Sequence, residues 1–267
     1  MQTLLYEGIK ISKGKLSSTD DNLVIEAPLQ ININKSPYTV VMRTPNDDIQ
    51  LIRGLLYAED IYKGKEDIEY EIIELNQDYS SIIDIHIKTD KLGKGYLNKR
   101  TLLSVSSCGI CGKKELKDIK VEKTDKLPEQ NFESAFLLKM FHQLREKQET
   151  FSKTGGSHAA GIFNKSHTLL TIKEDIGRHN AVDKCVGDLL HKNILSSASY
   201  LLVSGRVSYE IVIKAFIAKI PVIVAVSACS SLAVDFAKEF GICLIGFTRD
   251  SKMTIYANAP YLDLNHE

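Results

Sequence analysis

The hydrophobic positions in residues 1–128 predict a small mixed unit of strands and one helix. LVIEAPLQININ (Leu23–Asn34) and YTVVMR (Tyr38–Arg43) are rich in strand-forming residues and are separated by the turn sequence NKSP, which predicts a hairpin. In the following RTPNDDIQLIRGLLYAEDI, Thr44 is a suitable helix cap and Pro45 suits the first helical position. SIIDIHIK and YLNKRTLLSV predict two further strands.

The pattern changes after the charged segment KDIKVEKTDKLPEQ, which we take as a domain boundary. Residues 131–151 carry apolar side chains at helical spacing, and beyond them the short apolar runs HTLLTIK, SYLLVS, PVIVAV and ICLIGF alternate with amphipathic stretches. Apolar strands separated by single helices are typical of a largely parallel sheet covered on both faces. We therefore predict an N-terminal α+β domain over 1–128, ending in a Cys-x-x-Cys loop, and an α/β domain over 129–267.

Composition and charge are those of an ordinary globular protein and argue against two classes of partner. The 267 residues include 34 basic and 34 acidic side chains, so the sequence lacks the positive excess that holds a nucleic acid backbone. The segment MQTLLYEGIKISKGK has no secretion-signal pattern, and no apolar run approaches the roughly 18 residues of a membrane-spanning helix. We expect a cytoplasmic protein with no nucleic acid partner and no membrane partner.

The five cysteines are too few and too unevenly spaced for a disulfide scaffold, so we expect them to be reduced. Cys185 and Cys243 lie in apolar surroundings, which predicts that they serve as small buried hydrophobic residues. Cys229 lies where a strand should turn into a helix. The sequence leaves two roles open for Cys229, packing in the core and lining a site.

Polar residues of unusual type follow three of the predicted strands. KEDIGRHN supplies Arg178 and His179, SGRVS supplies Arg206, and SACSS supplies serines. Loops after parallel strands meet at one edge of an open α/β sheet, where helix N-termini favour anions, so these loops predict a phosphate site. Glu174 and Asp175 are alternative acceptors for the paired donors of a guanine. A purely structural role is the competing interpretation, with Asp175 and Asn180 capping a helix and Arg178 in a surface ion pair.

The segment TGGSHAAGIFN is a further candidate. Its paired glycines allow backbone to approach a ligand closely, and His158 can donate, accept or transfer a proton, although structural histidines are commoner. The sequence contains neither G-x-x-x-x-G-K-[ST] nor G-x-G-x-x-G, which removes the main support for an ATPase or a dinucleotide-dependent enzyme.

Three kinds of chemistry compete for Cys108 and Cys111 in SSCGICGK. A structural zinc site needs a second ligand pair and a zinc deaminase needs a preceding H-x-E, and the sequence has neither, so we expect no metal site. A thioredoxin-like redox pair should open a helix, whereas the surrounding glycines and serines favour a loop. Lys113 and Lys114 would favour a nucleophilic thiolate of the kind that carries sulfur. The residues alone do not favour the sulfur-carrier role of Cys108 and Cys111 over the redox role.

One protein family has similar motifs in the same order along the chain. The sequence resembles the formate dehydrogenase accessory sulfurtransferase family, of the FdhD/NarQ type, in SSCGICG, TGGSHAA, EDIGRHNAVDK, SGRVSYEIV and IPVIVAVSACSSLAVDFA. RTPNDDIQLIRGLLYAEDI and GFTRDSKMTIY extend the resemblance, which runs from about Pro28 to Tyr256.

The resemblance implies a cytidine-deaminase-like C-terminal core that has lost its zinc chemistry. It implies a sulfurtransferase that takes sulfur from a cysteine desulfurase as a persulfide on Cys108, with Cys111 as the partner thiol. The acceptor would be the molybdenum cofactor in its bis-molybdopterin guanine dinucleotide form, which then enters formate dehydrogenase. A cofactor chaperone that never carries sulfur is the alternative.

The resemblance also assigns a cofactor-binding segment, for which a guanine nucleotide would serve as a mimic. Phe247 would stack on the guanine, while Arg249 and Lys252 would meet phosphate. A homodimer would suit a cofactor with two guanine ends. The residues expected at the cofactor are Phe247, Thr248, Arg249, Asp250, Ser251 and Lys252 of the segment, together with His158, Arg178, His179 and Arg206 of the loops.

Overall fold

The computed structural model describes residues 1–97, 126–128, 130, 132–249 and 252–259. Their N-terminal part forms a long hairpin, a four-stranded sheet and one main helix. Its elements are β1 (Thr3–Ser12), β2 (Lys15–Val24), β3 (Ala27–Ile33), β4 (Ser36–Arg43), α1 (Asp48–Ala58), β5 (Glu69–Leu75), β6 (Ser81–His86) and the short α2 (Lys94–Leu97).

The four-stranded sheet has the order β4-β3-β6-β5, and α1 packs against one of its faces. The side chains of Leu29, Ile31, Ile83 and Ile85 alternate inward from β3 and β6 and form one core with Leu51 and the neighbouring apolar residues of α1. The predicted hairpin is confirmed, since β3 and β4 pair antiparallel.

The predicted start of α1 is wrong. The helix begins at Asp48, and Thr44 is instead fully buried against the C-terminal part of the chain. The amide of Thr44 donates to Asp175 Oδ2 over 3.1 Å, and Thr44 Oγ1 accepts the amide of Ile176 over 3.0 Å. A long-range contact therefore uses the residue whose type suggested a local cap.

Two strand predictions in this part need correction, and further strands were not predicted. The segment Leu23–Asn34 is divided, with Leu23 and Val24 ending β2 and Ala27 starting β3. The predictions lack β1, β5 and all of β2 except its last two residues. In YLNKRTLLSV, residues 96–97 end the helix α2, and the remainder lies outside the described residues.

The C-terminal part is a six-stranded sheet of order β12-β11-β10-β9-β7-β8. Its elements are α3 (Ser134–Glu146), α4 (Glu149–Thr154), β7 (His158–Asn164), β8 (Leu169–Asp175), α5 (Arg178–His191), β9 (Ala198–Val203), α6 (Tyr209–Ile217), β10 (Val222–Ala225), α7 (Ser231–Phe240), β11 (Cys243–Arg249) and β12 (Lys252–Ala257).

The prediction of a largely parallel, doubly covered sheet is confirmed for its centre. β9, β10 and β11 are parallel, while β7 is antiparallel to both of its neighbours and β12 is antiparallel to β11. One face packs against α5, α6 and α7, and the other packs against α3 through Leu137, Met140 and Leu144. The predicted burial of Cys185 and Cys243 is confirmed.

The two parts meet where α1 crosses α5. A Cβ atom added to Gly54 would lie 1.9 Å from the carbonyl oxygen of Asp183, and one added to Gly187 would lie 1.9 Å from that of Gln50. No side chain larger than hydrogen fits at either position, so glycine permits this close helix crossing. The crossing fixes the N-terminal sheet relative to the six-stranded sheet, while the domain limits at residue 128 stay a prediction. Among the described helices, none is long and apolar enough to cross a membrane.

Candidate functional site

One edge of the six-stranded sheet collects the loops that the sequence reading singled out. β8, β9, β10 and β11 run in the same direction, so their carboxyl ends lie at this edge. β7 and β12 run the opposite way and therefore begin there, which adds His158 and Lys252. We call this side of the sheet the loop edge. The phosphate-site prediction required the strands before these loops to run in the same direction, and they do, although the antiparallel β7 lies between β8 and β9.

His158 lies beside the loop after β9 and the start of α5. A Cβ atom added to Gly205 would lie 3.1 Å from His158 Nδ1 and 3.6 Å from Arg178 Cβ, so these three residues are in contact range. Burial lowers the pKa of His158, and the positive charges of Arg178 and Arg206 lower it further. The imidazole is therefore neutral at pH 7.

The guanidinium of Arg178 has an unsatisfied donor. Its Nε is buried, and among the described residues it has no hydrogen-bond partner. A buried donor without an acceptor is costly, and an oxyanion is an acceptor that would satisfy it. Arg206 is exposed on the neighbouring loop. The helices α5 and α6 also begin at the loop edge, where their N-termini favour negative charge.

Asp175 is used inside the protein and is not available to a ligand. Its carboxylate is fully buried, lies 2.8 Å from Lys184 Nζ, and accepts hydrogen bonds from the amide of Gly177 at 2.8 Å and from Asn180 Nδ2 at 2.9 Å. With the bond from Thr44, its acceptor capacity is filled. A structural role is therefore right for Asp175, although its side chain does not cap α5 as predicted, and the interpretation that it reads a guanine is wrong.

Glu174 is likewise occupied. Its carboxylate accepts the backbone amides of Thr150 and Phe151, each at 2.8 Å, and the hydroxyl of Ser157 at 2.7 Å. These bonds satisfy the N-terminus of α4 and hold the strand that begins at His158. Glu174 therefore positions the TGGSH segment and does not face a ligand.

His179 bridges two helices. Its Nε2 lies 2.9 Å from Ser208 Oγ, at the cap position of α6, and 3.0 Å from Glu210 Oε2 in the first turn of α6. The ring is buried. The geometry ties the start of α5 to the start of α6, so His179 holds the loop that carries Arg206.

The cofactor segment predicted from the resemblance forms the end of β11 and the start of β12. Phe247 is 49% exposed and has a left-handed backbone (φ 52°), and its amide donates to the carbonyl oxygen of Ser227 over 3.1 Å. Arg249 and Lys252 pair across the hairpin. Thr248 is buried, and its Oγ1 has no hydrogen-bond partner among the described residues. Asp250 and Ser251 lie outside the described residues.

A cavity of about 680 Å³ lies at this segment. Its lining combines an aromatic ring, two cations, small polar groups and a thioether. The sequence reading missed β12 and hence the part of the wall that β12 supplies, although the alternation in KMTIYA is a usable strand signal. The lining residues are Val226, Ser227, Phe247, Arg249, Lys252, Met253 and Thr254.

Cys229 lies behind this cavity. A Cβ atom added to Gly246 would lie 3.0 Å from its sulfur, and burial raises the pKa of the thiol to about 11. The thiol is therefore protonated at neutral pH, which fits packing better than nucleophilic chemistry. In the described part of the chain, no three His, Cys, Asp or Glu side chains are grouped so that they could hold a metal ion.

Comparison with known proteins identifies the family. The model of the FdhD/NarQ family matches residues 24–262. The chain belongs to the FdhD/NarQ family. A protein named sulfur carrier protein FdhD from Sulfolobus acidocaldarius is 39% identical over 260 residues, covering 96% of this chain and 98% of that protein. FdhD proteins of Streptomyces avermitilis and Mycobacterium tuberculosis are also each 39% identical, covering 93% of this chain and 92% and 94% of their own lengths.

A crystal structure of a protein assigned as a formate dehydrogenase accessory protein, from Desulfotalea psychrophila, has the same fold. It superimposes with a TM-score of 0.76 and covers 98% of this chain and 100% of its own chain, at 22% sequence identity. At that identity the likeness concerns the fold alone. The mixed α/β architecture is thus shared with that protein.

The two cysteines that the resemblance assigns to sulfur chemistry, Cys108 and Cys111, lie outside the described residues. Their roles stay predictions. What the structure describes is the loop edge, which brings together His158, Arg178 and Arg206, and the neighbouring cavity at Phe247, Arg249 and Lys252.

Proposed function

We propose that the protein is a sulfurtransferase that accepts sulfur from a cysteine desulfurase as a persulfide on Cys108. It passes this sulfur to the molybdenum cofactor, bis-molybdopterin guanine dinucleotide, for use by formate dehydrogenase in the cytoplasm. Membership of a family of sulfur carrier proteins supports the carrier role. The choice of this cofactor as the sulfur acceptor rests on one observation. Cations and helix N-termini lie together at one edge of the sheet, beside a cavity that is lined by an exposed aromatic ring.

The site has the groups that a guanine dinucleotide substrate requires. The ring of Phe247 offers a stacking surface for guanine, and Arg249 and Lys252 offer charge to the adjacent phosphate. The unsatisfied Nε of Arg178 is a buried donor that a phosphate oxygen would complete. We propose that the core descends from a cytidine-deaminase-like fold, with the base pocket retained and no zinc.

The proposed chemistry needs two thiols. The thiolate of Cys108 attacks the terminal sulfur of the desulfurase persulfide, the S–S bond of the donor breaks, and the donor thiolate leaves. The product is a persulfide on Cys108. The thiolate of Cys111 then attacks the Cys108 sulfur, which releases hydrosulfide to the acceptor and leaves a disulfide. A thiol reductant returns both cysteines to the reduced state.

A cofactor chaperone without sulfur transfer is the second candidate, since the loop edge alone would suffice to hold the nucleotide. Both candidates predict guanine nucleotide binding, and only the carrier predicts a persulfide. The chemistry at Cys108 therefore decides between them.

The cofactor site is tested by calorimetry with GDP as the probe. We expect Phe247→Ala to weaken binding by about 5- to 100-fold through loss of stacking. Arg206→Ala should weaken it by about tenfold through loss of a charged phosphate contact. Phe151→Ala is the matched control, because Phe151 is also exposed and lies outside the cavity. Equal affinity in all four proteins, or no GDP binding at all, would contradict the proposed site.

The pH dependence of GDP binding tests the position of His158. The imidazole is neutral in the free protein because burial and two arginines lower its pKa. A phosphate bound beside it would favour the charged form and raise the pKa, so binding should take up a proton. The affinity for GDP should therefore increase as the pH falls from about 8 towards about 6.5. The increase is up to about tenfold for each unit by which the bound phosphate raises the pKa of His158.

Calorimetry in buffers of different ionisation enthalpy measures this proton uptake. His158→Gln should abolish the proton uptake by the protein, while the proton uptake by the nucleotide phosphate remains. Uptake that is identical in the variant would show that no phosphate lies near His158.

A further inference from the structure

The loop edge contains two groups of cations at different strands of the sheet. Arg249 and Lys252 line the cavity beside Phe247, at the end of β11 and the start of β12. Arg206 follows β9, and Arg178 lies beside the start of β7. In the sheet order β9 is two strands from β11 and β7 is three, which at about 4.8 Å per strand gives roughly 10 and 14 Å along the edge. The two groups are therefore placed to contact different parts of one extended ligand.

The group at β7 and β9 consists of cations without acidic partners in the described part of the chain. Within those residues, no carboxylate oxygen lies within 4.0 Å of a guanidinium nitrogen of Arg178 or Arg206. The Nε of Arg178 is buried without a hydrogen-bond partner among the same residues, which is costly unless a ligand supplies an acceptor. An oxyanion would supply both the acceptor oxygen and the negative charge.

Gly205 lies at the centre of this group. It precedes Arg206 in the chain, and a Cβ atom added to it would lie 3.1 Å from His158 Nδ1 and 3.6 Å from Arg178 Cβ. The backbone at Gly205 does not have a positive φ, so close packing rather than an unusual conformation favours glycine at this position. A glycine here also lets a ligand approach the backbone closely. We call Arg178, Arg206, Gly205 and His158 the anion cluster.

Backbone hydrogen bonds hold the anion cluster at a fixed distance from the cavity at Phe247. Each loop or strand end along the loop edge is joined to the next by a backbone hydrogen bond. These bonds join Phe247 to Ser227 at 3.1 Å, Ala228 to Val207 at 3.0 Å, and Ser204 to Ala159 at 3.0 Å. The distance between the two groups of cations is therefore built into the fold, so it can select ligands by their length.

The spacing of the two groups matches a ligand with two linked phosphates. With a base stacked on Phe247, the first phosphate of a nucleotide lies next to the ribose and within reach of Arg249 and Lys252. A second phosphate continues away from the base towards β9 and β7. We propose that the anion cluster is the subsite for this second phosphate, and that Arg178 makes the protein select nucleoside diphosphates over nucleoside monophosphates. The position of the base rests on the proposed function, whereas the affinity of the anion cluster for a diphosphate group does not.

Calorimetry with GMP, GDP and inorganic diphosphate tests this division of the site. The wild-type chain should bind GDP about tenfold more tightly than GMP, because the second phosphate gains charge-assisted hydrogen bonds. Arg178→Gln should weaken the binding of GDP and of inorganic diphosphate by about tenfold and leave the affinity for GMP unchanged. Phe247→Ala should do the reverse, weakening the binding of GMP and leaving the affinity for inorganic diphosphate unchanged.

Three further variants separate the role of Arg178 from general effects of charge and folding. Arg178→Lys keeps the charge but loses the buried Nε donor, so it should restore only part of the preference for GDP. Arg206→Gln, at an exposed position, should lower the same preference without affecting the fold. Lys165→Gln is the matched control and should leave all three affinities unchanged, because Lys165 is exposed in the turn between β7 and β8, at the opposite edge of the sheet. Circular dichroism confirms that each variant is folded.

Two results would overturn the anion cluster as a diphosphate subsite. One is measurable and equal affinity of the wild-type chain for GMP and GDP. The other is inorganic diphosphate that binds the wild-type and Arg178→Gln proteins equally, or that binds neither. Failure of the proposed function gives a different result, in which GMP and GDP do not bind while inorganic diphosphate still binds through Arg178.

Discussion

Replacing Asp175 by alanine is expected to lower the free energy of unfolding by about 3–5 kcal/mol. Asp175 and Lys184 form a fully buried ion pair at 2.8 Å, and removal of one partner leaves the other charge buried and unpaired. The same substitution releases the amide of Thr44, which joins the N-terminal part to the six-stranded sheet. Urea unfolding followed by circular dichroism measures the loss.

The double variant Asp175→Asn with Lys184→Met distinguishes charge burial from other effects. It removes both charges and should recover a large part of the stability lost in Asp175→Ala. Glu66→Ala is the control, because Glu66 and Lys91 form an exposed ion pair whose loss should be small. A small effect of Asp175→Ala, similar to that of the control, would contradict a structural role for this residue.

Replacing Cys108 by alanine is expected to abolish formate dehydrogenase activation while GDP affinity stays unchanged. The carrier thiol is lost, whereas the loop edge, where we propose that the nucleotide binds, is unchanged. The measurement is formate dehydrogenase activity in cells in which the variant is the only copy of this protein. Cys229→Ala is the matched control and should retain activity, because its thiol pKa of about 11 keeps it protonated. Full activation by the Cys108 variant would favour the chaperone.

The sequence predicts the central sheet well, because its buried strands consist of short, mostly apolar runs. HTLLTIK, SYLLVS, PVIVAV and ICLIGF correspond to β8, β9, β10 and β11, and the loops after them do meet at one edge. The strands that the reading missed are exposed or at an edge. The alternation in β1 and the Lys13-Gly14 turn, with both φ angles positive, are usable signals, whereas β5 has exposed side chains of mixed type.

Long-range contacts account for the other differences. Thr44 has the right residue type for a cap, yet its partners are Asp175 and Ile176. Asp175, at the end of β8, has the right chemistry for a guanine, yet Lys184 of α5, nine residues further along the chain, neutralises it. Local sequence specifies what a side chain can do, but tertiary packing decides which of those interactions it makes.

The central claim is that Cys108 carries sulfur, and mass spectrometry tests it most directly. The purified protein is incubated with a cysteine desulfurase and free cysteine, and its peptides are then measured. We predict one added sulfur atom on the peptide that contains Cys108, which a thiol reductant removes and which Cys108→Ala lacks. An active desulfurase that adds no sulfur to Cys108 would contradict the account and leave the cofactor chaperone as the better explanation.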